Sequence, residues 1–341
     1  MNIKDIAKLS DVSISTVSRV INNSAKVSPE VRKRVEIVIK EMNYRPNSLA
    51  RELQQKKTNT IGVLMSAEGL DLSSLSESIN SIADVLKDNG FNIMLANTRF
   101  HHDQEFEFLN IFQEKRVDGV LYFASTFTDK HYDVFKNYPV PIVMIGQQYE
   151  LLDIPYVIHD DFSAARAATN FLIEKGHKEI GIIGGPIEDE AVGVQRLRGF
   201  EAALNIHNIA KNDDYCEIGD FSLTSGYEAM KKIHLNCKLL PTAIFAVTDF
   251  MAIGAIRYLV EKGIKVPEQV SVIGFDDVGV SAFYNPPLTT IHSDKKAIGH
   301  LAATLLLQIL NGQEVTTKKF IASYELVVRE SVLDINNRIK S

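Results

Sequence analysis

Two groups of residues in this chain have chemistry to offer. The first is the run Ser13-Ile14-Ser15-Thr16-Val17-Ser18-Arg19-Val20-Ile21-Asn22. Val17, Val20 and Ile21 recur at helical spacing, so Ile14, Ser15, Ser18, Arg19 and Asn22 share the outer face. Small hydroxyls let a helix approach a surface closely, and an arginine can fork onto a guanine edge. Such a face suits the major groove of DNA, although taken alone it also suits a polar surface helix. The second group follows short apolar runs: Ser66, Asp160-Asp161, Thr248-Asp249 and Asp276-Asp277, with Arg196 and Phe221 where helices begin. Open α/β sheets bind ligands beyond the carboxyl ends of their strands. Carboxylates, an arginine and a phenylalanine face offer a sugar paired hydrogen bonds and a flat apolar surface. Asp249 and Asp277 read better as helix caps or loop holders.

The elements that must position the first group are three short helices. Asn2 caps the first, with Asp5 in its first turn and Ile3, Ile6, Ala7 and Leu9 on its apolar face. Ser13 caps the second after only a few residues, the spacing of a helix-turn-helix. Ser28-Pro29-Glu30 opens the third, with Val31, Val35, Val38 and Met42 as its stripe. Residues 47–55 are too few to stay helical alone in water.

From Thr60 onward, apolar runs alternate with amphipathic stretches. The strands expected are 61–66, 91–96, 119–123, 142–145, 156–159, 180–183, 243–247 and 271–275. The helices expected between and after them are 73–89, 104–116, 162–175, 196–205, 225–235, 249–262 and 295–310. This alternation implies parallel sheets flanked by helices, and the strands are too many for one compact domain, so two lobes follow.

Charge supports the division. Among 341 residues the net charge is −6, but residues 1–60 carry twelve Lys and Arg against six acids, leaving −12 on the rest. A basic head on an acidic body is what a nucleic-acid binder shows. The hydrophobic content of 45% supports a large core. No apolar run spans a membrane, and the polar N-terminus carries no export signal, so a cytoplasmic protein is expected. Cys216 and Cys237 have no metal-type spacing and are expected as reduced thiols. No cofactor is expected either: Gly181-Ile182-Ile183-Gly184-Gly185-Pro186 lacks the dinucleotide spacing, and Pro186 spoils a helix start.

The pattern Ile6-Ala7-x-x-Ser10-x-Val12-Ser13-x-Ser15-Thr16-Val17-Ser18-Arg19-Val20-Ile21-Asn22 resembles the head of the lactose/galactose repressor (LacI/GalR) family. The likeness continues through Val27-Ser28, Arg32, Val35, Asn43-Tyr44-Arg45-Pro46-Asn47 and Ala50-Arg51-x-Leu53, and departs at Asp11, where members often have Gly. In the body it rests on Ile61-Gly62-Val63, Asp118-Gly119-Val120, Gly176-His177, Arg196-x-x-Gly199-Phe200, Pro241 to Phe245, Asp249-x-x-Ala252-Ile253-Gly254-Ala255, Val270 to Asp277 and Pro287 to Ile291.

The resemblance implies a helix-turn-helix head (1–46), a hinge helix and linker (47–59) and a two-lobed core (60–329) like periplasmic sugar-binding proteins. It places the first lobe at about 60–159 and 292–316, the second at about 162–288 and 317–329, and a short tail at 330–341. Three chain crossings fall near 159–162, 285–293 and 313–320. It further implies a homodimer on a near-palindromic DNA operator, with contacts from Asn2, Ile14, Ser15, Thr16, Ser18, Arg19, Asn22, Tyr44, Asn47, Ala50 and Leu53. Leu53 would be the wedge that kinks the minor groove. A small effector, a sugar in many members, would touch Ser66, Asp161, Arg196, Phe221, Thr248 and Asp276. Thr248 departs from the Asn that sugar-responsive members often carry.

Other functions weigh less. Adjacent carboxylates on an extended strand point to opposite faces, so the Asp pairs make no glycosidase couple. There is no nucleophile elbow and no His metal motif, and a transport protein would not carry the basic head. A non-sugar ligand or a partner protein as effector stays open. The tail has no leucine heptads to build a tetramer.

Overall fold

A computed structural model describes residues 2–21, 26–44, 57–66, 71–99, 101–124 and 126–336. The chain divides after Thr58 into two units. The first contains α1 (Ile3–Leu9), α2 (Ile14–Ile21) and α3 (Pro29–Glu41). Asn2 Oδ1 accepts the backbone N–H groups of Lys4 and Asp5, and Asp5 accepts that of Asn2 in return. Both ends of this capping box satisfy amides that the first turn leaves orphaned. Asp11 takes φ +51°, the left-handed turn that lets Val12 N–H reach Ala7 O at 3.0 Å. Asp tolerates this conformation, so the turn does without Gly. Ser13 and Ser28 cap α2 and α3 by accepting from Thr16 and Val31 N–H. Ile6, Val17 and Val35 are fully buried where the three helices meet. Leu9 and Met42, expected on the inner stripes, are exposed, because each lies at the fraying end of its helix.

The second unit carries two six-stranded sheets. The first lobe's strands are β1 (Thr60–Met65), β2 (Asn92–Asn97), β3 (Gly119–Phe123), β4 (Ile142–Ile145), β5 (Tyr156–His159) and β11 (Lys319–Ala322), in the order β11-β5-β4-β3-β1-β2. The second lobe's are β6 (Ile180–Gly184), β7 (Cys216–Ile218), β8 (Ala243–Ala246), β9 (Ser271–Asp276), β10 (Thr289–Ser293) and β12 (Tyr324–Val327), in the order β12-β10-β9-β8-β6-β7. Every neighbouring pair is parallel except β10 with β12. Helices α4 (Asp71–Asp88), α5 (His102–Glu114), α6 (Asp129–Lys136) and α11 (Lys295–Leu310) serve the first lobe. Helices α7 (Asp161–Glu174), α8 (Arg196–Ile206), α9 (Leu223–Asn236) and α10 (Asp249–Glu261) serve the second. The central strands β3, β4, β6 and β8 are buried throughout, as near-continuous apolar runs in a covered parallel sheet must be.

The lobe boundaries differ from the sequence expectation. Strand β10 stays in the second sheet through Ser293, and β11 pairs with β5 in the first, Lys319 opposite Tyr156. Phe320 and Ala322 pack into the first lobe's core, which holds this segment there. The third crossing therefore falls at Ser323, not within 313–320. The tail expected from 330 is also sewn down as far as it is described. Ser331 is buried, its Oγ donating to Val272 O at 2.6 Å, and Ile335 N–H reaches Lys175 O.

Candidate functional site

The outer face of α2 is built as its pattern requires. Val17 and Val20 are buried, Ile14, Ser15 and Arg19 are exposed, and Thr16 and Ser18 are half-buried. Ser13 Oγ lies 2.8 Å from Ser15 Oγ and 2.9 Å from Thr16 Oγ1, so the helix start presents a cluster of hydroxyls. Two other expected DNA contacts carry structural duties. The Asn2 side chain is engaged in its cap, and Tyr44 packs against the head's core. Asn22, Asn47, Ala50 and Leu53 lie outside the described residues, as does the expected hinge helix.

Between the lobes lies a cavity of about 220 Å³, and five of the six expected effector residues line it: Ser66, Arg196, Phe221, Thr248 and Asp276. Arg196 organises the site. Its Nε donates to Asp161 Oδ1 at 2.7 Å and its Nη1 to Val247 O at 2.5 Å. Its Cζ sits 3.5 Å from the Phe275 ring centroid, and Nη2 is 3.9 Å from Asp276 Oδ1. Only 4% of the side chain is exposed, so these partners hold the guanidinium in one orientation. Asp161, the sixth expected residue, does not line this cavity. It lines a second cavity beside this one and is the counter-ion of Arg196, and burial pushes its carboxyl upward against the pull of that arginine.

Asp276, at the end of β9, takes φ +109°, and Phe221 takes φ +72°. Backbone strain in non-glycine residues persists where the surroundings enforce it, and it clusters at binding sites. At Phe221 the surroundings include Gly185, where an added Cβ would stand 2.5 Å from Phe221 Cε1. The Gly184-Gly185-Pro186 run therefore admits an aromatic ring to the cleft. Thr248 caps α10 by accepting Met251 N–H at 3.3 Å, which leaves its hydroxyl proton to donate elsewhere.

The second residues of Thr248-Asp249 and Asp276-Asp277 hold the frame. Buried Asp249 accepts from Val278 N–H, Ser281 Oγ and Thr290 Oγ1, tying α10 to β10 and the loop after β9. Asp277 is gripped by Arg329 at 2.6 Å and lies 3.2 Å from His292 Nδ1.

The other cavity residues escaped the sequence reading, among them Phe123, His159, Asp189, Phe250 and Lys295. Lys295 Nζ stands 3.7 Å from Asp276 Oδ1 and 3.4 Å from its carbonyl, joining the first residue of α11 to the second lobe. Phe123 and His159 end β3 and β5, so the strand-end rule that found Ser66 points to them as well. Asp189 and Phe250 carry no such signal. Burial, with Arg196 and Lys295 nearby, lowers His159 to about 4, so the ring is neutral at pH 7. Among the described residues no group of His, Cys, Asp and Glu is disposed to hold a metal, and no helix is long and apolar enough to cross a membrane.

Residues 2–47 match the family described as bacterial regulatory proteins, lacI family, and residues 169–332 match the periplasmic binding protein-like domain. The HTH-type transcriptional repressor PurR of Histophilus somni (strain 129Pt) is 37% identical over 334 residues, covering 97% of this chain and 98% of that protein. Catabolite control protein A of Priestia megaterium is 34% identical, covering 97% and 99%. Among solved structures, the lac repressor dimer bound to operator and the anti-inducer ONPF superposes with a TM-score of 0.88 at 28% identity, covering 98% and 99%. The transcriptional regulator CelR in complex with cellobiose does so with 0.74 at 31% identity, covering 97% and 99%. Helix-turn-helix head, paired α/β lobes and relatives of matching length agree, and the chain belongs to the LacI family of DNA-binding transcriptional repressors.

Proposed function

We propose that this repressor binds its operator as a homodimer through the outer face of α2 and is controlled by a neutral sugar held between the lobes. The observation that carries the reading is the charge balance of the cavity. Arg196 is answered by Asp161, and Lys295 by Asp276, at distances of 2.7 and 3.7 Å. Among the described residues no surplus cation is left for a phosphate, and the one further acid, Asp189, accepts Val192 N–H at 2.8 Å and Gln147 Nε2 at 3.3 Å, with burial raising its carboxyl. The polar groups that face inward, Ser66, Thr248, Asp276 and the Arg196 fork, suit hydroxyls, and Phe123, Phe221 and Phe250 offer flat apolar faces. A charged hydrogen bond to a ligand hydroxyl is worth about 1.5–3 kcal/mol, so Asp276 alone supplies a large share of affinity.

The lac repressor dimer on its operator and the CelR complex with cellobiose support the assignment by analogy. A heteroaromatic base is the rival ligand, since three phenylalanines stack on one as readily. A thermal-shift screen of the full chain decides between them, because a ligand that binds only the folded state raises the melting temperature. Neutral mono- and disaccharides, their phosphates and purine bases form the panel. A shift from a neutral sugar, with loss of operator retention in a gel shift or a gain in it, is the expected result. A shift confined to purines or to phosphates would overturn the reading.

A further inference from the structure

The cavity at Arg196 has a neighbour. A second cavity of about 630 Å³ lies beside it, lined by Phe127, Gln148, Tyr149, Glu150, Phe162 and Arg198 among others. Gly146 and His159 line both. What stands between them is thin. Gln147, from the first lobe, lines the second cavity, and Asp189, from the second lobe, lines the first. Gln147 Nε2 donates to Asp189 Oδ1 at 3.3 Å, a long bond for this pair of groups. His159 and the Arg196–Asp161 ion pair, with one member lining each cavity, complete the partition, and His159 Nδ1 is buried with no hydrogen-bond partner.

One segment serves both sides. The π-helix Glu190–Gln195 puts Val192 into the first cavity and Glu190, Ala191 and Gln195 into the second. π-Helical turns are rare and collect at functional sites. This one is held by close packing: a Cβ on Gly193 would stand 1.7 Å from Pro186 O.

We infer that the effector is a disaccharide, with one ring on Arg196 and Asp276 and the other in the second cavity. This rests on the sugar reading above and sharpens it. The first cavity alone is smaller than the roughly 300–1,000 Å³ of ordinary small-ligand sites, and the two joined fall within that range. The second is lined as a sugar site is: aromatic faces from Phe127, Tyr149 and Phe162, and planar polar groups from Gln148, Glu150 and Arg198. To join them, Gln147 and Asp189 turn from each other, while Asp189 keeps the Val192 N–H that it accepts at 2.8 Å and the Arg196–Asp161 pair stays in place. Both then face ligand hydroxyls, and a ring hydroxyl flanking the glycosidic link gives His159 Nδ1 the partner it lacks. The partition thus becomes part of the binding surface.

Titration calorimetry of the full chain with matched probes tests this: cellobiose and maltose against D-glucose, lactose against D-galactose, and hypoxanthine as the heteroaromatic control. One disaccharide is expected to bind at least tenfold more tightly than its constituent monosaccharide. Two variants fill the second cavity from opposite walls, Ala191→Phe and Glu150→Trp. Each is expected to bring disaccharide affinity down to that of the monosaccharide and to leave the monosaccharide unaffected. Melting temperatures of the free variants near wild type confirm that they fold, and agreement between two walls guards against a local distortion. A monosaccharide that binds as tightly as its disaccharide, or disaccharide affinity unchanged in both variants, overturns this inference and leaves the sugar reading standing. Binding of hypoxanthine and no sugar, or of no probe at all, overturns the sugar reading and this inference together.

Discussion

Arg196 Nε lies 2.7 Å from Asp161 Oδ1, and the bond joins the first residue of α8 to the first residue of α7. The start of α7 favours the Asp161 carboxylate, whereas Arg196 continues directly from the π-helix Glu190–Gln195, and Asp161 offsets the cost of burying that arginine's charge. The consequence proposed is a division of labour: Asp161 keeps Arg196 in place, and Arg196 and Asp276 face the first cavity.

Asp161→Ala and Asp276→Ala should therefore fail differently. Asp161→Ala leaves a buried guanidinium without its counter-ion and is expected to destabilise the core by about 3–5 kcal/mol. Asp276→Ala, whose carboxylate is 17% exposed, is expected to cost far less stability while abolishing the effector response. Denaturant melts and operator gel shifts with and without effector separate the two. Equal stability losses would contradict the assignment.

The stability of the core should fall as the medium becomes alkaline, through Asp249. Burial raises its carboxyl to about 7, against the lowering effect of its hydrogen bonds to Ser281, Thr290 and Val278. A folded-state value above the unfolded one favours the protonated fold. The contribution is full below about pH 4 and is lost as pH rises through 7. Asp249→Asn removes this dependence. Its melting temperature relative to wild type is expected to climb between pH 5 and 8, and a constant difference across that range would refute the account.

On the head, Arg19→Ala should relax base preference at one operator position by roughly 1–3 kcal/mol of discrimination. Asn22→Ala should weaken binding evenly across sequences, as loss of a phosphate contact does. Selection from randomised operators reads both at once. Arg19→Ala with an unaltered preferred sequence would remove Arg19 from the reading face.

Leu53→Ala is expected to cut specific operator affinity and the induced bend, with no change in core stability. We propose that residues 47–55, too few to hold a helix alone in water, act as the hinge that the family resemblance implies, folding with DNA and a second subunit. Circular-permutation gel shifts report the bend. Wild-type bending by the variant would mean that the heads are released by another route.

Much of this architecture was legible in the sequence because it follows from periodicity and caps. Asn2, Ser13 and Ser28 cap the three head helices, and α11 has the bounds that its stripe implies. The missed elements have physical reasons. Strand β7 is three residues long, and β10 reads Thr-Thr-Ile-His-Ser, too polar for a buried run. Strand β11 is an edge strand with Ile321 exposed, so its pattern carries little signal. The site was legible where a strand end met an acid or hydroxyl. Lys295 was not, because its role exists only once α11 crosses back to the first lobe and meets Asp276. For Asp161, sequence shows that a carboxylate is present and not that Arg196 engages it.

The three crossings between the lobes have a mechanical consequence. Each is a single residue: Asp160 between β5 and α7, Asp294 between β10 and α11, and Ser323 between β11 and β12. Asp160 and Asp294 are also pinned, accepting Ser163 N–H at 3.0 Å and Ala297 N–H at 2.8 Å. Tethers this short carry no slack. The lobes cannot slide or separate, and the motion left to them is rotation about the line of the tethers. Such a joint behaves as a lever: a small angular change at Arg196 is magnified with distance from the pivot. One glycine inserted after Ser323 would add about 3.5 Å of play at that crossing alone, leaving Asp160 and Asp294 as the pivot and weakening the transmission of ligand binding.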